Sequence, residues 1–327
     1  MEEKEMAKKI GVLTSGGDAP GMNAAVRAVT RAALAKGMSV LGIKRGYCGL
    51  LNKEYDEMTA RSVSGIIQRG GTCLYTARSH EFATHEGVLK GKAVCEELGL
   101  DGLVVIGGDG SFRGAGDLSS VGIPCVGIPG TIDNDIQCTE YTIGYDTAMN
   151  TCVEMIDKLR DTMQSHDRCS VVEVMGRRAG YMAVNVAIAV GAEACITLER
   201  DYDLEAIAAK MNATTKSKGG KHHFIIVVAE GVGQTESIAR QIQEMTGIES
   251  RATILGHVQR GGSPTLRDRV LATEMGYHAV ELLEKGIGNR IVGLKDGRVY
   301  DIDIQEGLAM KKPFLDRRYD IFYDTAY

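Results

Sequence analysis

The chain has 327 residues and a formal net charge of -5, and hydrophobic residues make up 44% of it. This length fits roughly two domains of about 100 to 200 residues each, with a sizeable buried core. A surface that binds nucleic acid usually brings an excess of basic residues, so the acidic balance argues against that class of function.

The cysteines and the apolar segments indicate where the protein resides. The eight cysteines are scattered without a C-x-x-C pair, and Cys125, Cys169 and Cys195 lie in apolar runs, which predicts buried, reduced thiols. The start, MEEKEMAKK, lacks the apolar core of a signal peptide, and no uninterrupted apolar stretch reaches about 18 residues. The sequence therefore predicts a soluble, cytosolic protein.

Short apolar runs alternate with longer amphipathic stretches along the chain. In order, the predicted elements are the strand KIGVLTS, the helix MNAAVRAVTRAALAKG, the strands SVLGIK and DGLVVIG, a helix over residues 111–119, the strand CVGIP, a helix over 147–162, the strand SVVEVMG, a helix over 180–190, the strands ACITL and HHFIIVVAEG, and a helix over 236–246. Strands that are apolar throughout are typical of parallel sheets covered on both faces. The predicted fold class is α/β, with two doubly wound layers.

The turns after the strands are the candidate sites, because ligands of open parallel sheets bind beyond the carboxyl ends of the strands. After the first strand, TSGGDAPGMN places Gly16, Gly17 and Gly21 before a helix, which suits a phosphate but also an ordinary tight turn. In IGGDGS, Asp109 stands between glycines. Its carboxylate could hold Mg²⁺ on a nucleotide's phosphates or cap the next helix.

A third turn, GTIDND, follows the strand CVGIP and carries Asp133 and Asp135 with Asn134 between them. Asp and Asn favour turns because they hydrogen-bond their own backbone. The same carboxylates could instead transfer a proton or bind a cation. Taken alone, the stretch leaves both interpretations open.

Arginines near turns supply positive charge that could grip phosphates, although any one of them could equally be a solvated surface residue. They are Arg78, Arg168, Arg177, Arg251 and Arg260. Metal binding by histidine is disfavoured, because His257 has no second His or Cys at metal spacing. The adjacent His222 and His223 are predicted to begin a strand and to point to opposite faces.

Together, SGGDAPGMNAA, RGGT, VVIGGDGS, PGTIDNDI, RDTMQSHDR, VVEVMGR and RATILGHVQRGGSP resemble the bacterial ATP-dependent 6-phosphofructokinases, in order along almost the whole chain. The resemblance implies the phosphofructokinase fold, with two similar doubly wound domains whose mainly parallel sheets are covered by helices. An ATP-binding domain would comprise 1–143 and about 258–308. A sugar-phosphate domain would comprise about 144–257 and 309–327.

The implied reaction moves a phosphoryl group from MgATP to O1 of fructose 6-phosphate, giving fructose 1,6-bisphosphate and ADP. Asp133 matches the general base, Asp135 its supporting carboxylate and Asp109 the Mg²⁺-associated residue. The matching ATP contacts are Gly16, Arg78, Ser79, Gly108, Asp109, Gly110 and Ser111. The matching substrate contacts are Thr131, Asp133, Met175, Gly176, Arg177, Glu230, His257 and Arg260, and Arg177 also matches a group at the transferring phosphoryl.

The resemblance also implies assembly and regulation. Arg168 and Arg251 match arginines that a neighbouring subunit supplies to the 6-phosphate, and the family is homotetrameric. An effector site for ADP or phosphoenolpyruvate would use Arg27, Arg31, Arg160, Glu193 and Lys221. The chain departs from the family pattern at Glu54 and Thr59, where Arg and Asp are expected, so weak or altered regulation is predicted.

Other functions are weighed against this one. Pyrophosphate-dependent relatives carry Asp and Lys where this chain has Gly110 and Gly130, so a nearby carboxylate would repel ATP in them and not here. The hypothesis of a different kinase with a GGDG motif, acting on NAD or a lipid, does not explain the 251–269 segment. A dehydrogenase is disfavoured because the first βαβ unit of this chain has no G-x-G-x-x-G motif with an acidic residue downstream. A catalytically silent nucleotide-binding subunit would not need Asp133, Asp109 and Arg177 together.

Overall fold

The computed structural model describes residues 8–217 and 220–326. The chain divides into two compact units. The first holds the chain up to Ile132, together with Ile136–Thr147 and Arg260–Lys312, and the second holds Asp133–Asp135, Ala148–Gln259 and the chain from Pro313 onward. Each unit is therefore built from discontinuous stretches.

Strands and helices alternate through most of the described chain. Their bounds are β1 Lys9–Thr14, α1 Met22–Ala35, β2 Ser39–Ile43, α2 Gly46–Leu51, β3 Tyr55–Met58, α3 His85–Glu97, β4 Gly102–Gly107, α4 Asp109–Ser120, β5 Cys125–Pro129, α5 Tyr145–Gln164, β6 Cys169–Val174, α6 Tyr181–Val190, β7 Ala194–Ile196, α7 Leu204–Lys216, β8 Phe224–Ala229, α8 Thr235–Thr246, β9 Ser250–Ile254, α9 Leu266–Glu284, β10 Arg290–Lys295, β11 Arg298–Asp303, α10 Ile304–Ala309 and α11 Asp316–Thr325. Short 3₁₀ helices cover Glu230–Val232 and Gly256–Arg260.

The sheet of the first unit has the strand order β11-β10-β5-β4-β1-β2-β3 among the described residues. Its central strands run parallel, and the two edge pairs, β2 with β3 and β10 with β11, are antiparallel. Leu13 and Val105 pack with Phe112 and other residues of α2, α3 and α4. Val12 and Val104 alternate with them and are equally buried, and α1 and α9 pack on this sheet as well. Because successive side chains of a strand point to opposite faces of the sheet, an apolar strand packs against helices on both faces.

The sheet of the second unit has the order β7-β8-β6-β9, and each pair in it is parallel. Phe224, Ile226 and Val228 pack with Met211 of α7 and Ile242 of α8. The intervening residues of β8 are also buried, and α6 contacts β7 and β8. The carboxyl ends of β6, β8 and β9 consequently lie along one edge of this sheet.

The predicted fold class is confirmed, and the strands and helices predicted from the sequence occur within a few residues of their expected bounds. The prediction for His222 and His223 is wrong, because β8 begins at Phe224. Cys125, Cys169 and Cys195 are buried as predicted, whereas Cys73 is exposed. Within residues 8–217 and 220–326, none of the helices combines the length and apolar character needed to cross a bilayer.

Candidate active site

In the first unit, the turns after β1 and β4 lie side by side because these strands are neighbours and parallel. Ser15 N–H donates to the Ile106 carbonyl at 2.9 Å. Gly16 has φ +88°, and a Cβ built on it would lie 3.6 Å from Ser111 Oγ. The structure thus brings Gly16 and Ser111 together at the carboxyl edge of the sheet.

The loop that carries Arg78 and Ser79 is tied to the same edge by hydroxyl groups. Thr14 Oγ1 donates to the Tyr75 carbonyl at 2.8 Å, and Thr76 Oγ1 donates to the Gly16 carbonyl at 2.7 Å. Ser79 Oγ accepts from Phe82 N–H at 3.2 Å. Arg78 lies two residues after Thr76 in this anchored loop and is exposed, so its guanidinium can meet a ligand.

Asp109 is the first residue of α4, and the N-cap position is occupied by Gly108. The helix-capping interpretation of Asp109 is therefore wrong. Its carboxylate pairs with Arg113 one turn later at 3.1 Å, and its side chain is 37% exposed. A Cβ built on Gly108 or Gly110 would meet nothing within 4 Å. The carboxylate accordingly stands beside open space at a helix N-terminus, where anions bind.

These residues fit a magnesium ion that arrives with a nucleotide. The described residues contain no group of three or more His, Cys, Asp or Glu side chains that could hold a metal by themselves. Mg²⁺ in phosphate-transfer sites commonly binds one or two carboxylates and takes its other ligands from phosphates and water. A single partly exposed Asp109 matches that donor set.

Arg260 and Thr131 also belong to the first unit. Arg260 Nη1 donates to the Asp18 carbonyl at 3.1 Å. A Cβ on Gly17 would lie 2.6 Å from the same nitrogen, so the guanidinium occupies the space that this glycine leaves. Thr131 is buried, and its carbonyl accepts from Thr142 Oγ1 at 2.6 Å.

In the second unit, five predicted substrate residues follow neighbouring strands at one sheet edge. Met175, Gly176 and Arg177 follow β6, Glu230 follows β8 and His257 follows β9. Glu230 Oε1 accepts from Gly176 N–H at 3.1 Å and from Arg177 N–H. Arg177 has φ +59°, a strained value for a residue with a side chain, so the carboxylate of Glu230 holds an unfavourable turn in place.

The 133–135 segment is grouped with this unit. Asp133 is 7% exposed, and Asn134 has φ +51°. Arg177 Nη1 lies 3.6 Å from an oxygen of Asp135, and the Arg177 side chain is 67% exposed. Both interpretations of this segment therefore hold together. Asn134 forms the turn, while the carboxylates on either side of it have different surroundings, Asp133 being buried and Asp135 paired with Arg177.

Arg168 and Arg251 lie at the opposite edge of that sheet. Arg168 immediately precedes β6, and Arg251 is the second residue of β9. Glu249 pairs with Arg168 Nε at 2.7 Å and with Arg251 Nη2 at 2.6 Å. Hydrogen bonds from Arg168 and then Arg251 lower the pKa of Glu249 below its ordinary value. The three side chains form a compact group at the surface.

The predicted effector residues fall in both units. Arg27 and Arg31 lie on α1, where Arg31 Nη2 reaches the Ala60 carbonyl at 3.5 Å. In the second unit, Lys221 pairs with the buried Glu193 at 3.1 Å. Arg160 donates to the Val190 carbonyl, so the structure joins Glu193 and Lys221 but gives Arg160 a different partner.

Sequence reasoning gave no role to three residues that contact the predicted ones. Glu249 bridges the two arginines, Lys210 lies 3.7 Å from Glu193, and the buried Gln259 accepts a hydrogen bond from Met175 N–H. Glu249 stands two residues before Arg251, and Gln259 lies between His257 and Arg260. Their placement near predicted residues was a signal that could have been used.

Comparison with known proteins agrees with this arrangement. The family model described as Phosphofructokinase matches residues 9–283. The ATP-dependent 6-phosphofructokinase of Clostridium tetani is 54% identical over 320 residues, covering 98% of this chain and 100% of the relative. A relative of the same name from Clostridium botulinum strain Hall is 55% identical over 314 residues, covering 96% and 98%.

Solved structures of phosphofructokinases share the fold of this chain. Pichia pastoris phosphofructokinase in the T-state superposes with a TM-score of 0.91 at 32% identity, and the match covers 98% of this chain but 39% of that one. The pyrophosphate-dependent phosphofructokinase of Marinobacter aquaeolei reaches a TM-score of 0.83 at 19% identity, covering 94% and 86%, which shows a shared fold. From the family model and the clostridial relatives together, the chain belongs to the phosphofructokinase family.

Proposed function

We propose that this protein transfers the γ-phosphoryl group of ATP to O1 of fructose 6-phosphate, giving fructose 1,6-bisphosphate and ADP, the committed step of glycolysis. The observation that carries the proposal is the pairing of Arg177 with Asp135 next to the buried Asp133. A reaction that deprotonates a hydroxyl and moves a phosphoryl group needs a carboxylate base and a cation close together. The names of the clostridial relatives support the same activity.

Asp133 acts as the general base. It removes the proton of the O1 hydroxyl as that oxygen attacks the γ-phosphorus, and the bond from phosphorus to the ADP oxygen breaks. Arg177 stabilises the negative charge of the transferring group, and Asp135 orients its guanidinium. Met175, Gly176, Glu230 and His257 bind the sugar phosphate from the same sheet edge, and Thr131 and Arg260 are its other proposed contacts.

The first unit binds the nucleotide through the turns after β1 and β4 and through the loop that carries Arg78. Gly16, Gly108 and Gly110 allow the phosphates to approach the backbone, and Ser79 and Ser111 offer hydroxyl groups. Asp109 would hold Mg²⁺, which supplies charge neutralisation on the phosphates when bound. Arg78 contributes positive charge at the phosphates, whereas the net charge of the whole chain is negative.

A second copy of the chain completes the site in this proposal. The six residues of β6 span about 20 Å and separate Arg168 from the 175–177 turn. One sugar phosphate cannot contact both edges of the sheet in one subunit. Arg168 and Arg251 would therefore bind the 6-phosphate in a neighbouring subunit of a homotetramer.

Two further features belong to the same proposal. Gly110 and Gly130 leave no carboxylate or ammonium beside the phosphates, which supports ATP as the donor. Arg27, Arg31, Arg160, Glu193 and Lys221 would bind ADP or phosphoenolpyruvate as an effector, with regulation weakened by the departures at Glu54 and Thr59. The enzyme would act in the cytoplasm.

The test is an assay that couples ADP release from MgATP to added fructose 6-phosphate, repeated on Asp133→Ser. Loss of the base should lower kcat by about 10² to 10⁴, while binding of fructose 6-phosphate by calorimetry stays within severalfold of wild type. Asp161→Ser, an exposed aspartate on α5, is the control and should keep wild-type turnover. Full turnover in Asp133→Ser would remove this residue from the mechanism.

A further inference from the structure

Gln259 is a fully buried polar side chain in the 3₁₀ helix Gly256–Arg260. Its Oε1 accepts hydrogen bonds from Met175 N–H and from Cys152 Sγ, both at 3.0 Å. Its Nε2 donates to the Gly256 carbonyl at 3.0 Å. The amide thus connects three segments of the second unit, namely α5, the turn after β6 and its own helix.

The turn that Gln259 contacts is the one that presents Arg177. Its three consecutive N–H groups all donate to side chains, Met175 to Gln259 and the next two to Glu230. Gln259 itself lies in the short helix that carries His257. One amide therefore links the backbone positions of two proposed substrate residues that follow different strands.

Packing alone does not explain an amide at this position. Burying an amide is costly unless its polar atoms are paired, and an apolar side chain of similar size would fill the space without that requirement. A hydrogen-bonded amide adds direction, because its acceptor and its donor each fix one partner. Burial also raises the pKa of the Cys152 thiol to about 12, so the thiol remains a donor to Oε1 near neutral pH.

We propose that Gln259 is a positioning residue for sugar-phosphate binding, whose buried amide fixes the 175–177 turn relative to the 256–260 helix. This inference rests on the proposed function, since Arg177 and His257 must contact the substrate for their alignment to matter. Gln259 itself touches no substrate. Its loss should affect the sugar phosphate and leave the nucleotide, whose residues lie in the first unit, almost unchanged.

The first experiment compares Gln259→Leu with Ile242→Ala. Leucine fills most of the volume but leaves Met175 N–H without this acceptor, so kcat/KM for fructose 6-phosphate should fall by about 10-fold to 100-fold. The KM for MgATP should stay within about twofold of wild type, because the altered contacts involve no nucleotide residue. Ile242→Ala removes a buried side chain of the same unit, so it should lower Tm and leave both KM values unchanged.

The second experiment uses Gln259→Glu, which also covers the case in which the leucine variant fails to fold. Burial raises the pKa of a carboxyl group, and the protonated form of the introduced carboxyl group would still offer one acceptor and one donor. At low pH this variant should approach wild-type kcat/KM. As the pH rises through the raised pKa, the donor to Gly256 is lost, so kcat/KM for fructose 6-phosphate should fall relative to wild type.

The outcomes separate the two proposals. If the wild-type protein phosphorylates fructose 6-phosphate and Gln259→Leu has the same KM for it, the positioning role is overturned and the proposed function stands. Equal changes in both KM values, or a Gln259→Glu profile parallel to wild type, would also assign Gln259 to general stability. Absence of wild-type turnover would overturn the proposed function and this inference with it.

Discussion

Gly17 and Gly110 lack a side chain for different physical reasons. The space beside Gly17 is occupied by the guanidinium of Arg260, whereas the space beside Gly110 is open. In the sequence both are glycines in a turn after an apolar strand, so the sequence does not distinguish them. The difference matters because a side chain at residue 17 would displace the Arg260 guanidinium, and one at residue 110 would enter open space where the nucleotide is proposed to bind.

Gly110→Asp should weaken ATP binding without weakening the fold. The new carboxylate meets no protein atom within 4 Å of its Cβ and lies in the first turn of α4, where negative charge is favourable. Repulsion from the phosphates should raise the KM for ATP at least about fivefold. Steady-state kinetics and thermal melts would test this, with Gly110→Ala as the matched control expected to behave like wild type. A normal KM in the aspartate variant would place the phosphates elsewhere.

Glu249 should contribute to stability in a pH-dependent way. Its pKa is lowered chiefly by the hydrogen bond from Arg168, so its contribution is fully present above its ordinary pKa of 4.5. That contribution is lost as the pH falls through the lowered pKa. The Tm of Glu249→Gln should therefore lie below that of wild type near pH 7 and converge with it in acid.

Melting curves from about pH 3 to about pH 7 would measure this difference. Glu154→Gln is the control, because Glu154 meets one lysine on an exposed helix face, where such pairs contribute little. A Tm difference for Glu249→Gln that stays constant across the pH range would show that the Glu249 carboxylate does not stabilise the fold through its two arginines.

At the level of elements, most buried strands could be predicted from apolar runs, and several helices from their periodicity, but α3, α7, α9 and β10 were not predicted. The edge strands β3 and β11 could not be predicted, since YDEM and RVYDID are largely polar and mostly exposed or half-buried. The strand β8 was predicted to start too early because His222 and His223 continue its pattern without pairing in the sheet. Strand edges depend on hydrogen-bonding partners that the local sequence does not specify.

The turns that carry the candidate residues Asp109 and Asp133 were predictable because they follow buried strands, whereas Glu230 came from the resemblance alone. Arg168 and Arg251 were candidates from the sequence, but their place together at the opposite edge depends on the register of β6 with β9, which pairs Ser170 with Arg251. Gln259 belongs to the motif RATILGHVQRGGSP, but the motif does not indicate which backbone groups its amide contacts. Its role depends on a contact 84 residues away in the chain.

The start of α5 depends on a side chain from α9. Asp268 is fully buried and accepts hydrogen bonds from Gly144 N–H at 2.9 Å, Thr147 N–H at 2.9 Å and Thr147 Oγ1 at 2.5 Å. Burial raises its pKa, although these hydrogen bonds oppose the shift. Asp268 thus acts as a helix cap supplied from a position 124 residues beyond Gly144.

Asp268→Asn should lower the free energy of unfolding by about 1 to 3 kcal/mol, because one oxygen acceptor becomes an NH₂ group that faces N–H donors. Urea denaturation would measure the change. Asp316→Asn is the control, since Asp316 lies on an exposed surface and pairs with Arg200, and it should change stability by less than about 0.5 kcal/mol. An equal loss in both variants would contradict the capping role of Asp268.

At the level of the whole molecule, the two edges of the second sheet carry two halves of the proposed substrate site. If each site combines edges from two copies, then Asp133→Ser and Arg251→Ala damage different contributors to one site. Hybrid oligomers that contain both variants should recover turnover at low fructose 6-phosphate that neither parent shows. Native mass spectrometry would verify the hybrids, and hybrids without recovered turnover would place both halves of the site within one chain.

The division of the chain into discontinuous stretches limits how such a protein can evolve. The chain passes from one unit to the other after Ile132, Asp135, Thr147, Gln259 and Lys312, so no single cut separates the units. Three of these passages adjoin proposed site residues, at Asp133, Asp135 and Arg260. A recombination event that exchanges one continuous segment between relatives therefore cannot transfer either unit whole without residues of the other.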